Sequence, residues 1–115
     1  MRNSRWLAAT GSLYAAAAVA LSADATHAAA SDARAHLQLA AISLFGHGVA
    51  LSALAHSVPS TSGRLALCGL LWGTLMFAGS LVLHALLGWP AMLAPAGGML
   101  LIAGWIALAI DGLRS

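Results

Sequence analysis

Long stretches without any charge constrain this chain more than any other feature. Residues 6–23, 35–63 and 65–110 contain no Asp, Glu, Lys or Arg. A helix needs roughly 20 apolar residues to cross the hydrocarbon of a bilayer, so the third stretch is long enough for two helices. Helices satisfy their own backbone hydrogen bonds inside lipid. The pattern therefore predicts an all-α integral membrane protein, with four transmembrane helices in an antiparallel bundle.

Turn signals and charged residues set the expected limits of these helices. Gly88-Trp89-Pro90 predicts a tight turn inside the third charge-free stretch. Pro95 is expected to loosen the first turn of the last helix. The length allows one domain. We expect a single transmembrane domain over residues 1–115, with helices near 6–24, 37–57, 65–87 and 91–110.

The composition makes water an unsuitable main solvent for this surface. Charged residues are 7% of the chain and apolar residues 61%, whereas a soluble domain has about 25% charged residues. The net charge is +2, but five scattered arginines form no basic patch, so no nucleic-acid partner is expected. The expected partners are the lipid bilayer and other membrane-protein subunits or further copies of the chain. A single cysteine, Cys68, excludes an intrachain disulfide.

The first apolar segment allows a second interpretation. Arg2 and Arg5 precede it, and the small-residue triplets Ala23-Asp24-Ala25 and Thr26-His27-Ala28 follow it. This order is typical of a secretory signal peptide and its cleavage site. Cleavage would leave three helices instead of four. Both interpretations stay open on the residues alone.

With four spans, the arginines fall unevenly on the two sides of the membrane. Basic residues in short loops stay on the cytoplasmic side. We therefore expect both termini in the cytoplasm, and the inner (plasma) membrane of a bacterium as the location. One side of the membrane receives Arg2, Arg5, Arg64 and Arg114, whereas the other receives Arg34 with Asp24 and Asp32.

Small residues recur at helical spacing in the last two predicted helices. In lipid, small residues allow helix backbones to approach closely. In the third predicted helix, Phe77, Ser80 and His84 continue the face of its glycines, and in the fourth, Ala94 and Leu101 do so. The predicted packing positions are Gly69, Gly73, Gly97, Gly98 and Gly104.

His47 lies in the middle of the second apolar stretch. Ionisable groups at this depth usually face the interior of the bundle and find a partner. Tyr14 and Thr74 lie at similar depth, so we predict that His47 is buried and hydrogen-bonded to one of these two buried polar residues. The alternative is a ligand or a proton carrier. The face predicted to point inward consists of His36, Ala40, Ser43, His47, Ala50 and Leu54, opposite Leu44 and Val49.

Four further residues are candidate metal ligands at the non-cytoplasmic end. Asp24, His27, His36 and His84 are all expected near that face of the membrane. Imidazole and carboxylate groups together suit zinc or copper. His47 and His84 are also candidate axial ligands for a haem between helices. The chain has no closely spaced histidine pair of the H-x-x-x-H kind, however.

The C-terminal half resembles a known family. Residues 79–108 resemble the small membrane proteins grouped as domain of unknown function 423, whose animal relatives are named transmembrane protein 256. The features that carry this resemblance are Gly79-Ser80-Leu81, Pro95-x-Gly97-Gly98 and Gly104-Trp105. The resemblance implies a four-helix membrane protein with an uncleaved first helix, and it implies no activity.

Two histidines fall on positions of the same family's motifs. His47 falls on a family histidine that follows a short polar stretch. His27 falls on the last residue of a motif that is normally Gly-Ala-Phe-Gly-Ala-His. Here that motif reads Ser22-Ala23-Asp24-Ala25-Thr26-His27, so an aspartate stands in place of the aromatic residue.

No motif of an enzyme is present in the sequence. It contains no paired nucleophile and base, no phosphate-binding loop and no pair of cysteines. We therefore expect a non-enzymatic integral membrane protein without a resident cofactor, acting through helix packing as a small subunit or a homo-oligomer. The alternative is a metal-, haem- or proton-handling membrane protein that uses a cluster of the histidines.

Overall fold

A computed structural model describes residues 2–27 and 30–114. All four helices in these ranges are long and apolar enough to cross a membrane, and their mean hydropathy rises from 1.4 in the first to 2.0 in the last. This confirms the predicted all-α chain with four candidate spans. One of the two cleavage patterns ends at Ala28, which lies outside the described residues. The helices are α1 (Arg2–His27), α2 (Ser31–Leu54), α3 (Thr61–Leu87) and α4 (Leu93–Arg114).

Most of these helices extend beyond the limits expected from the charge-free stretches. The clearest case is α2, which begins at Ser31 and includes Asp32 and Arg34, although the helix was expected from residue 37. A charged side chain at the end of a helix can reach water without interrupting the backbone hydrogen bonds. A charge-free stretch therefore measures the apolar part of a helix and underestimates its full length.

The ends of α3 follow from identifiable residues. Ser60 precedes the helix, and its hydroxyl accepts a hydrogen bond from the backbone N–H of Gly63 at 3.1 Å. Gly88 follows the helix with φ 71°, a left-handed conformation that glycine adopts without strain, and its N–H donates to the carbonyl of His84. The predicted turn thus begins at Gly88, but it continues to residue 92, because α4 begins at Leu93 rather than at residue 91. Pro95 lies in the first turn of α4, where a missing N–H removes no intrahelical bond.

Helices that follow one another in the chain pack side by side. α1 packs along α2, α2 along α3 and α3 along α4, with a smaller contact between α1 and α3. Within the described ranges, the backbones of α1 and α4 do not meet. Both α1 and α4 consequently leave most of their outer surface uncovered. The largest fully buried side chains are those of Leu7, Leu51, Leu67, Leu70 and Thr74.

The inward face of α2 differs from the predicted one by about one residue. Leu44 and Gly48 are buried, although Leu44 was assigned to the opposite face, and His47 is only partly buried. The helix is apolar around most of its circumference, so polarity gives little indication of which face packs. The absence of a side chain at Gly48 is what permits the close contact with α1.

Close backbone contacts join α3 to α4 at glycines. A Cβ atom on Gly97 would lie 2.5 Å from the backbone nitrogen of Phe77 and 2.9 Å from the carbonyl oxygen of Gly73. One on Gly104 would lie 3.0 Å from Leu70 Cδ2. Gly69 and Gly98 also face the partner helix, but their Cβ atoms would meet their nearest neighbours at ordinary contact distances of 3.9 Å and 3.8 Å.

The close approach of α1 to α2 was not among the predicted packing positions. A Cβ on Gly11 would lie 2.6 Å from the carbonyl oxygen of Gly48, and one on Gly48 would lie 2.5 Å from the carbonyl oxygen of Gly11. The spacings Gly11-x-x-x-Ala15 and Gly48-x-x-x-Ser52 are the sequence signal that could have identified this crossing.

Candidate functional site

His47 joins α2 to α4 through Nε2 of its ring, whereas its Nδ1 bonds within α2. Its Nδ1 lies 2.8 Å from the carbonyl oxygen of Ser43, and because a carbonyl oxygen only accepts, Nδ1 carries the hydrogen. Nε2 therefore has a free lone pair, and the indole N–H of Trp105 donates to it at 3.0 Å. The two rings lie 5.8 Å apart between centroids. Both nitrogens of this imidazole are satisfied by protein groups.

The partners expected for His47 are bonded elsewhere. Tyr14 and Thr74 are both buried, as expected, but the Tyr14 hydroxyl donates to the carbonyl of Leu71 at 2.8 Å. The Thr74 hydroxyl donates to the carbonyl of Leu70, one turn earlier in its own helix, at 2.6 Å. A hydroxyl in an apolar helix readily reaches that carbonyl. His47 is thus partly rather than fully buried, and it bonds to Trp105 rather than to Tyr14 or Thr74.

A second pair of histidines lies where α2 begins and α3 ends. The rings of His36 and His84 are 4.9 Å apart between centroids and inclined by 65°. His36 Nδ1 lies 2.7 Å from the carbonyl oxygen of Asp32, and His84 Nδ1 lies 2.7 Å from that of Trp89. Both Nδ1 atoms therefore carry the hydrogen, and both Nε2 atoms have a free lone pair.

The structure brings together two of the four predicted metal ligands. Asp24 and His27 are exposed near the end of α1, whereas His36 and His84 are in ring contact. Over residues 2–27 and 30–114, no three His, Cys, Asp or Glu side chains are placed to share one metal ion. A site with four protein ligands at this end of the bundle remains a prediction.

Asp111 forms a polar cluster at the opposite end, which the sequence analysis missed. Its Oδ1 accepts hydrogen bonds from the hydroxyls of Ser60 at 2.5 Å and Ser62 at 2.6 Å. Four spans place the start of α3 and the end of α4 at one side of the membrane, so the run Ser60-Thr61-Ser62 opposite Asp111 was the available signal. Both hydroxyls donate to the same carboxylate oxygen, so this cluster joins the beginning of α3 to the end of α4.

Two grooves open on the apolar surface of the bundle. The larger, of about 520 Å³, lies beside α3 and the turn that follows it, and its lining includes Trp72, Met76 and Trp89. The other, of about 490 Å³, lies between α1 and α2 and is lined in part by Ile42 and Phe45. The linings consist of apolar side chains with a single serine each. Such surfaces suit contact with acyl chains better than acid–base chemistry.

Comparison with protein families settles the membership suggested by the sequence. The family model described as protein of unknown function (DUF423) matches residues 15–98. The chain belongs to the DUF423 family. The DUF423 match includes all of α2 and α3 with His36, His47 and His84, and it ends before Gly104 and Trp105. No curated protein and no solved structure matches the chain.

Proposed function

We propose that this DUF423 protein is a non-enzymatic integral membrane protein that acts through helix packing, as a small subunit or a homo-oligomer. Its four helices form an antiparallel bundle in the inner membrane of a bacterium. The pairing of α3 with α4 supports the antiparallel arrangement, because Gly63, early in α3, faces Asp111, late in α4, and Gly73 faces Leu101. For α1 and α2 it is supported by two contacts, because Gly48 faces Ala15 whereas Ser52, later in α2, bonds to Ala8, earlier in α1.

Both termini lie on the cytoplasmic side in this proposal. The uneven distribution of arginines supports this orientation. The turn after α3 then faces the other side, where the exposed ring of Trp89 suits the membrane–water interface. Reporter fusions at Ser60 and after Ser115 should report the cytoplasm, and a fusion at Ala30 the opposite compartment. A cytoplasmic signal at Ala30 would contradict the orientation.

The observation that carries the packing role is a second stripe on α1. Side chains along one face of this helix point inward and are buried, among them Leu7, Tyr14 and Ala18. An equally regular stripe on the opposite face is exposed, and no other described helix covers it. This outer stripe consists of Ala9, Leu13, Ala16, Ala20 and Ala23.

The small size of the outer-stripe side chains favours a helix as their neighbour. Helix association in lipid depends on close packing, and small residues allow it. The exposed face of α4 provides a contrast, because Met99, Ile102 and Ile106 present large side chains that suit acyl chains. We infer that the outer stripe of α1 contacts another transmembrane helix, from a second copy of this chain or from a different subunit.

Cysteine crosslinking in native membranes tests this inference. With Cys68→Ser as the background, Ala16→Cys labelled with a benzophenone maleimide should give a crosslinked product on illumination, because benzophenone inserts into C–H bonds and needs no thiol on the neighbouring chain. A product of twice the chain mass identifies a homo-oligomer, and one of another mass identifies a different subunit. Met99→Cys is the matched control on an exposed stripe of large residues and should give no product.

The proposal fails if Ala16→Cys and Ala20→Cys both react with the benzophenone maleimide but neither forms a crosslinked product on illumination. In that case the stripe is accessible and has no neighbouring helix. It also fails if Met99→Cys crosslinks as efficiently as Ala16→Cys, because the products then arise from random collision in the membrane.

A further inference from the structure

We propose that His36 and His84 bind a first-row transition-metal ion, copper(II) most tightly, at the end of the bundle where α2 begins and α3 ends. The proposal goes beyond the packing role and does not depend on it. It rests on the position of the two rings, on the hydrogen bonds of their Nδ1 atoms and on the groups around their Nε2 atoms.

Each of the two rings is held by a hydrogen bond from Nδ1 to a backbone carbonyl. His36 donates from Nδ1 to Asp32 and His84 donates from Nδ1 to Trp89, each at 2.7 Å. Metal-bound histidines usually make a bond of this kind with the nitrogen that does not hold the metal, because it fixes the tautomer and orients the ring. The lone pairs of both Nε2 atoms are thereby available for an ion.

Each of the two Nε2 lone pairs can bind a hydrogen-bond donor or a metal ion. Two Nε2 acceptors cannot hydrogen-bond to each other, and the ring centroids are only 4.9 Å apart. No protein atom in residues 2–27 and 30–114 donates to either Nε2, whereas the Nε2 of His47 receives the indole N–H of Trp105. A metal ion or a water molecule can bind either lone pair, and a metal ion can bind both lone pairs at once.

The ligand types select the class of metal. Imidazole nitrogen suits copper, nickel and zinc, and affinity in such sites rises from nickel to copper and falls again at zinc. Magnesium and calcium prefer oxygen ligands. Both histidines are partly exposed, so water can occupy the remaining coordination positions. No change in the oxidation state of the metal is part of the proposal.

Metal titration of the purified full chain tests the site. The tag-free protein in detergent should bind one copper(II) ion at this site, nickel(II) and zinc(II) more weakly, and magnesium(II) not at all. His36→Ala and His84→Ala should each weaken copper binding at least tenfold in calorimetry. Electron paramagnetic resonance should show coupling of copper to two imidazole nitrogens in the parent protein and to fewer in each variant.

His56→Ala is the matched control, because His56 is an exposed histidine at the opposite end of the bundle. It should leave copper affinity unchanged. If His84→Ala lowers helicity in circular dichroism, His84→Gln replaces it, since the glutamine amide can still donate to a carbonyl but offers no imidazole lone pair. Copper affinity or nitrogen coupling that persists in a folded His36→Ala/His84→Gln double variant overturns the proposal.

Discussion

The α1–α2 pair and the α3–α4 pair solve the same packing problem in different ways. α1 and α2 approach most closely at one crossing, where Gly11 and Gly48 face each other. α3 and α4 approach along a row, in which Gly97 and Gly104 lie about two turns apart on α4 and Gly73 of α3 faces Gly97. A single crossing leaves the angle between two helices free to change. A row fixes the angle but allows one helix to slide along the other.

The polar groups of each pair restrict the motion that its glycines leave free. Beside the α1–α2 crossing, the hydroxyl of Ser52 lies 3.1 Å from that of Ser12 and donates to the carbonyl of Ala8 at 3.3 Å. At the end of the α3–α4 row, Asp111 accepts from Ser60 and Ser62. The first set resists rotation at the crossing, whereas the second resists sliding. The position of a polar contact along a helix pair thus decides which relative motion of the two helices it resists.

Gly97→Ala should lower the free energy of unfolding more than any other variant proposed here. The new Cβ would meet the backbone of Phe77 and Gly73, which cannot move without separating the whole row. Overpacking of this kind costs about 1–3 kcal/mol, and we expect the upper part of that range. The measurement is the free energy of unfolding in mixed micelles, followed by circular dichroism during titration with a denaturing detergent.

Gly98→Ala is the matched control for that variant. Its Cβ would meet the ring of Phe77 at 3.8 Å, an ordinary contact. Since alanine favours a helix over glycine by about 1 kcal/mol, Gly98→Ala should be neutral or slightly stabilising. Equal losses of stability at positions 97 and 98 would show that the row is not the close contact between α3 and α4.

Gly48→Ala should have the next largest effect. Its Cβ would lie 2.5 Å from the carbonyl oxygen of Gly11, but a change of crossing angle can relieve part of this clash. We expect a loss of about 1–2 kcal/mol in the same unfolding assay. Gly46→Ala is the control, because a Cβ there meets no atom within 4 Å. If Gly48→Ala lowered the free energy of unfolding more than Gly97→Ala, the α1–α2 crossing would be the less adaptable contact and the comparison would be wrong.

Ser60→Ala should destabilise the α3–α4 pair to a smaller extent. The change removes the N-cap of α3 and one of the hydroxyls that bond to Asp111. Loss of an N-cap costs about 1 kcal/mol. Ser57→Ala, which removes only an exposed hydroxyl bonded to the carbonyl of Ala53, serves as the control. If the two variants unfold at the same detergent concentration, the polar cluster does not fix the register of α3 and α4.

Trp105→Phe should lower the free energy of unfolding least. The change removes the donor to His47 Nε2, which is the hydrogen bond between the side chains of α2 and α4. Interhelical hydrogen bonds in membranes contribute about 0.6 kcal/mol on average, so the variant should fold with a marginal loss of stability. His47→Leu should then add little to Trp105→Phe in a double-mutant cycle. Additive losses would indicate that each residue acts through another contact.

Sequence reasoning succeeded where a residue type has few alternative explanations. Charge-free stretches of this length indicated the number of helices, and Gly88 with Pro90 indicated the turn after α3. The stripe of Gly97, Leu101 and Gly104 is buried against α3 as proposed from its spacing. Helix ends were less accurate, because charged residues such as Asp32 continue a helix into the interface instead of ending it.

The sequence predicted how far along its helix each candidate site residue lies, but not the direction around the helix axis in which its side chain points. Adjacent residues in a helix differ in direction by about 100°, and α2 is apolar on most faces. His47 was therefore placed at the correct level and assigned the wrong partners, since an error of one position turned it from α1 toward α4. His36 and His84 were both expected at one end of the bundle, but their contact depends on side-chain rotamers that no spacing rule provides.

Packing between successive helices also has a consequence for biogenesis. A chain emerging from the ribosome presents its helices in order, and each helix after the first packs against the one that precedes it. Apart from the smaller contact between α1 and α3, helix packing does not require a segment distant in the chain, so pairing of distant helices does little to delay assembly. In the proposed membrane protein, α4 inserts last and joins an α3 that is already in the bilayer. A nascent chain arrested after Leu87 should therefore already contain the paired α1, α2 and α3.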